Sequence, residues 1–165
     1  MPNDSWPSVA GMNAQHCYDS HLVWEGSTGT GVRDYPRTHR VVAPPAHAEL
    51  ALSADPHFRG DGDLLNPEQL VVMAASSCQL LSFLALAAAQ GLDVLSYVDE
   101  ARGVMPQPPV RLTRIDLTPV ITVGAGTEPD AIHRVVEQAH RQCYVANSLT
   151  TEVVVTPTVV EAGRA

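Results

Sequence analysis

NPEQLVVMAASSCQLLSFLALAAAQG, residues 66–91, is the stretch on which the fold of this chain turns. Asn66 suits a helix N-cap, Pro67 fits the first helical position, where a missing N–H costs nothing, and Gln69 stands where a capping box needs its second partner. Gly91 supplies the stop. From Leu70 to Ala89 there is no charged residue, so the spacing predicts one long helix that is apolar nearly all round and buried on most sides, with Cys78 at its middle.

Such a run is also long enough to cross a bilayer. Its centre, Ser76-Ser77-Cys78-Gln79, its many alanines, its acidic flanks at Asp61, Asp63, Glu68 and Asp93, and the want of basic anchors favour a core helix instead, so no membrane partner is expected. Residues 1–15 have neither a basic start nor an apolar run, so the expected location is the cytoplasm, where three cysteines remain thiols. The length, 165 residues, suits a single domain over residues 16–165 behind a mobile tail at 1–15. A formal net charge of −8 with only 10 Lys and Arg excludes a phosphate-binding surface for nucleic acid.

Around the helix the chain reads as mixed α and β. Strands are expected at residues 17–24 and 35–42, followed by a polar, turn-rich link from Glu49 to Leu65. Beyond Gly91 comes a strand over 94–105, a break at Pro106, Pro108 and Pro109, and a half-exposed strand over 111–123 with Ile115, Leu117, Ile121 and Val123 on one face. Thr127-Glu-Pro-Asp130 begins a second helix with a capping pattern. Its residues Ile132, Val135, Val136, Ala139 and Cys143 keep helical spacing. A last strand covers residues 151–160. The seven histidines show no metal-ligand spacing, so neither a metal nor a cofactor is expected.

Cys78 and Cys143 thus lie on the buried sides of two helices, a position that suits either small core residues or a reactive pair. A buried thiol resists ionisation unless a cation is close, which calls for an arginine and an acid to hold it. Glu68 is ten residues before Cys78, about 15 Å along the axis, and cannot serve it within one helix. Two copies packed antiparallel about a twofold axis would bring Glu68 of one chain to Cys78 of the other, which predicts a homodimer.

Asn66-Pro-Glu-Gln-Leu70 with Ala74-Ala-Ser-Ser-Cys78, and Cys143-Tyr-Val-Ala-Asn-Ser-Leu149, resemble the paired cysteine motifs of the OsmC/organic hydroperoxide resistance (Ohr) family. The resemblance spans about residues 18–160. It implies an α+β fold, an intertwined dimer with two antiparallel sheets wrapped around long central helices. It also implies a thiol peroxidase that reduces organic hydroperoxides, and inorganic ones less well. In that role Cys78 attacks the peroxide, Cys143 resolves the sulfenic acid as a disulfide, Glu68 takes the acid position, and a lipoyl-type dithiol is the reductant. The activating arginine is Arg59 by one branch of the family or Arg37 by the other, with Arg33 and Arg40 on the same early segment. Tyr144 stands where the family often has proline, and Cys17 matches no motif. The alternative is a non-catalytic OsmC-like dimer that binds ligands or senses redox state.

Overall fold

The computed structural model describes residues 15–163, so the expected tail lies, but for Gln15, outside the described residues. The chain gathers into two compact units, Met1–Leu64 and Leu65–Ala165.

In the first unit, β1 (His21–Val23), β2 (His39–Val42) and β3 (Glu49–Leu52) form an antiparallel sheet in that order. The two expected strands are present but shorter. β3 lies within the stretch read as a link, where Glu49-Leu-Ala-Leu52 alternates for only four residues and gains its identity by pairing with His39–Val42. A 3-10 turn at Pro56–Phe58 ends at Arg59, which holds a left-handed φ of 66° and donates its N–H to Pro56 at 2.9 Å. A Cβ on Gly60 would fall 1.6 Å from the Ala54 carbonyl oxygen, so only glycine can follow Arg59 here.

The second unit is built on α1 (Pro67–Ala89). Asn66 Oδ1 accepts from the Gln69 N–H and Gln69 Oε1 accepts from the Asn66 N–H, both at 2.9 Å, which closes the expected capping box. At the other end Gly91 takes φ 70°, and the N–H groups of Gly91 and Leu92 donate to Ala88 and Ala87, satisfying carbonyls the helix leaves open.

The strand expected over 94–105 divides into β4 (Val94–Asp99) and β5 (Arg102–Val104), that over 111–123 into β6 (Arg114–Leu117) and β7 (Pro119–Val123), and the last into β8 (Glu152–Val155) and β9 (Thr158–Glu161). Pro119 and Pro157 lie at two of these breaks and lack the N–H that a continuous ladder needs. The result is two three-stranded sheets, β4-β7-β9 and β5-β6-β8. Both are mixed rather than antiparallel, because β6 pairs β8 and β7 pairs β9 in parallel. The reason is the connection: the chain crosses back through α2 (Pro129–Gln142) and α3 (Tyr144–Ser148) before β8, and a helical crossover returns the strand in the same direction.

α2 starts at Pro129 with Glu128 as N-cap and no side-chain cap, so the capping expected from Thr127 does not form. Its buried residues Ile132, Val135, Val136 and Ala139 are those the spacing singled out, as are Ile115, Leu117, Ile121 and Val123 on the strands. They make two cores. One gathers Phe83 and Ala87 of α1 with Ile121, Val123 and the α2 stripe; the other joins Ala75 of α1 to Ile115 and Leu117. Burying a side chain such as Phe83 or Ile132 is worth about 1.5–3 kcal/mol. α1 lies close enough to β5 that a Cβ on Gly103 would approach Val72 to 2.6 Å.

The expectation that α1 is buried on most sides holds for one face only. Ala75, Gln79, Phe83 and Ala87 are buried, whereas Met73 and Leu81 remain 52% and 64% exposed in the single chain. Among the described residues of the second unit, none covers that apolar side fully.

Candidate functional site

α1 presents Cys78 at its middle, half-buried, between the part of the helix held by the second core and the part held by the first. Cys143 caps the end of α2 with extended backbone (φ −69°, ψ 110°), and its carbonyl accepts the Asn147 N–H at 3.0 Å to open α3. Tyr144 occupies the first position of α3, a position that proline also suits, so tyrosine there preserves the turn.

The two thiols lie on helices that pack together, near enough for each to act on the other's proton. Burial pushes the Cys143 thiol up to about 11, and a hydrogen bond to Cys78 pushes it the same way, while N–H groups of Ala146 and Val145 act in the opposite sense. At neutral pH Cys143 therefore keeps its proton. Exposure divides the pair: Cys143 is only 1% exposed, so Cys78 is the sulfur a reagent reaches first. An open cleft of about 480 Å³ is lined by His140, Arg141, Ala146, Asn147 and Val153.

Several polar groups near the pair escaped the reading of the sequence. Gln79, next to Cys78, is buried and donates through Nε2 to the Val136 carbonyl at 3.2 Å. Ser76 donates its hydroxyl to Asp99 Oδ2, and Asp99 Oδ1 accepts the Thr118 N–H at 2.8 Å, which ties α1 to the break between β6 and β7. Tyr97 packs its ring 5.7 Å from that of Phe83, and its buried hydroxyl has no partner among the described residues. Burial first, then the charges of Asp99 and Cys143, raises the Tyr97 phenol above its usual range. Alternation marks Tyr97 and Asp99 as sharing a strand face, but only packing reveals which side chains that face meets.

Of the other expected site residues, Glu68 belongs to the unit that holds the thiols, and Arg37 and Arg59 belong to the first unit. Glu68 sits in the first turn of α1, about 15 Å from Cys78 by helical rise. Arg37 donates to the carbonyls of Tyr35 at 3.0 Å and Val32 at 2.7 Å and lies over the Tyr35 ring at 4.0 Å, so its guanidinium is engaged by its own loop. Arg59 has no side-chain hydrogen bond or ion pair among the described residues.

The family model described as OsmC-like protein matches residues 60–158. Among solved structures, an OsmC-like protein of unknown function from Vibrio cholerae is 27% identical with a TM-score of 0.78, over 87% of this chain and 100% of its own. An organic hydroperoxide resistance protein OsmC from Legionella pneumophila superposes with a TM-score of 0.64 at 17% identity, over 88% of this chain and 98% of its own. The organic hydroperoxide resistance protein OhrB of Bacillus subtilis does so at 0.59 and 14%, over 89% and 100%. At these identities the last two attest the fold alone. No curated protein matches by sequence.

Proposed function

The chain belongs to the OsmC-like family, and on that footing we propose that it is a thiol-dependent peroxidase acting on organic hydroperoxides. The observation that carries this reading is the placing of Cys78 and Cys143, one reachable and one buried, on two helices that pack together. In the first step the Cys78 thiolate attacks the terminal peroxide oxygen and the O–O bond breaks. The alkoxide leaves as alcohol on taking a proton, and Cys78 becomes a sulfenic acid. In the second step the Cys143 sulfur attacks that of Cys78, expelling hydroxide, which leaves as water with the Cys143 proton. A dithiol of lipoyl type then gives up two electrons and two protons to restore both thiols. The substrate class is the one that the resemblance of the two cysteine motifs implies, and two proteins of the same fold carry organic hydroperoxide resistance in their names.

The active unit in this reading is a homodimer. The uncovered apolar side of α1, with Met73, Leu81 and Leu84, supports it, because such a surface is stable in water only when covered. An antiparallel pair of α1 helices would bring the partner's Glu68 toward Cys78. Arg59 is the arginine we assign to thiolate activation: Arg37 is occupied, and Arg59 is held in a backbone conformation rare outside glycine, of a kind that gathers at functional sites. The free thiols suit a reducing cytoplasm.

The test is consumption of cumene hydroperoxide with dihydrolipoamide as reductant. Cys78→Ser should fall to the rate without enzyme, and full retention would sink the proposal. Cys143→Ser should complete one turnover and then accumulate sulfinic acid at Cys78. If Cys78 alkylation follows the pH dependence of a free thiol, the non-catalytic redox-sensing dimer becomes the better reading.

A further inference from the structure

Among the residues that α1 buries fully, Ala75, Phe83 and Ala87 are apolar and Gln79 alone carries an amide. It is 1% exposed, and only one of its two polar atoms is answered: Nε2 donates to the Val136 carbonyl, while Oε1 has no partner among the described residues. A leucine or methionine would occupy the same slot without an orphaned acceptor, so by stability alone the amide is a poor choice.

What an amide adds is direction. Phe83 and Ala87 meet the α2 stripe through dispersion alone, which has no direction and changes gradually as contacts shift. A hydrogen bond near its limit of length breaks within a fraction of an ångström. Gln79 follows Cys78 in the chain, and Val136 lies two turns before Cys143 on α2, so the bond joins the helix of one thiol to the helix of the other. A slip of a single residue would shift the cysteines by about 1.5 Å, against a disulfide window of Cα separations of roughly 4.4–6.8 Å. Buried amides in coiled coils set register in the same manner, at a cost in stability.

We propose that Gln79 is a positioning residue that fixes the register of α1 against α2 and so keeps the Cys78 and Cys143 sulfurs within bonding range of each other. This rests on reading the two cysteines as a redox pair, but not on peroxide being the oxidant.

The test is equilibration of the full chain with reduced and oxidised glutathione, in which the two thiols pass two electrons and two protons to one oxidised glutathione and release two reduced ones. In Gln79→Met and Gln79→Leu the equilibrium constant for the Cys78–Cys143 disulfide should fall about tenfold, raising its potential by about 30 mV, while the thermal midpoint of the reduced protein holds or rises. Wild-type values in both variants overturn the inference. So does loss of folding in both, since the amide would then support the fold rather than the register. A wild-type chain that takes up no such disulfide fails the redox-pair reading itself, an outcome distinct from a variant that matches wild type.

Discussion

α1 and α2 carry one cysteine each, yet they are built in opposite ways. α2 is two-faced: Ile132, Val135, Val136 and Ala139 turn inward, and His133, Arg134, Glu137 and Arg141 turn outward, with an Arg141–Glu137 pair at 4.0 Å. α1 has no charged face at all beyond its first turn. One side packs against α2 and the strands, and the other shows Met73, Leu81 and Leu84. The second unit alone satisfies α2. It satisfies only half of α1, and the difference separates a helix finished within one chain from a helix awaiting a second copy.

A charge on each helix tests that difference most sharply. The wild type should sediment at twice the 17.6 kDa of one chain, Leu81→Asp should fall to the single-chain mass or precipitate, and His133→Asp on the outer face of α2 should leave the mass unchanged. A Leu81→Asp dimer would break the comparison. Next in size, Phe83→Ala removes the largest side chain shared between α1 and the α2 core and should cost about 3–5 kcal/mol in urea unfolding.

A pH series probes the buried end of α2. Burial raises the Cys143 thiol from 9.0 to about 11, so the folded chain holds a proton that the unfolded chain gives up at lower pH. The reduced protein should therefore keep this contribution below about pH 9 and lose it as pH climbs toward about 11. Urea midpoints in Cys143→Ser should lose that part of the slope and keep the part, of the same sign, that comes from the raised Tyr97 phenol. The smallest effect belongs to Tyr97→Phe, which removes a buried hydroxyl that has no partner among the described residues and should raise stability by about 1 kcal/mol.

Both helices were legible because their signals are local: the Asn66–Gln69 box, the Gly91 stop and the 3.6-residue stripe of α2 each lie within a few residues of one another. β3 was not, because four alternating residues mean little until His39–Val42 pairs with them. The breaks in the long strands were missed for the same reason, since Pro119 and Pro157 interrupt a ladder only once the partner strands are known. Of the site, the two cysteines could be read from their motifs, and the distance from Glu68 to Cys78 followed from helical rise. Gln79 and Tyr97 could not be found, because nothing in Ser77-Cys-Gln-Leu80 or Ser96-Tyr-Val98 says that an amide or a phenol will be sealed between elements. Residue type alone leaves the arginine open between Arg37 and Arg59, because loop hydrogen bonds decide which guanidinium is engaged.

The two cores that share α1 give Cys78 an unusual address. Ala75 belongs to one and Phe83 to the other, so the thiol rides the span between two anchorages rather than the middle of either. Either anchorage can loosen while the other still grips the helix, so the free energy of admitting a bulky reagent is that of a partial opening. In hydrogen exchange, amides around Ser77–Leu80 should then follow the weaker of the two neighbours and exchange without crossing the global unfolding barrier.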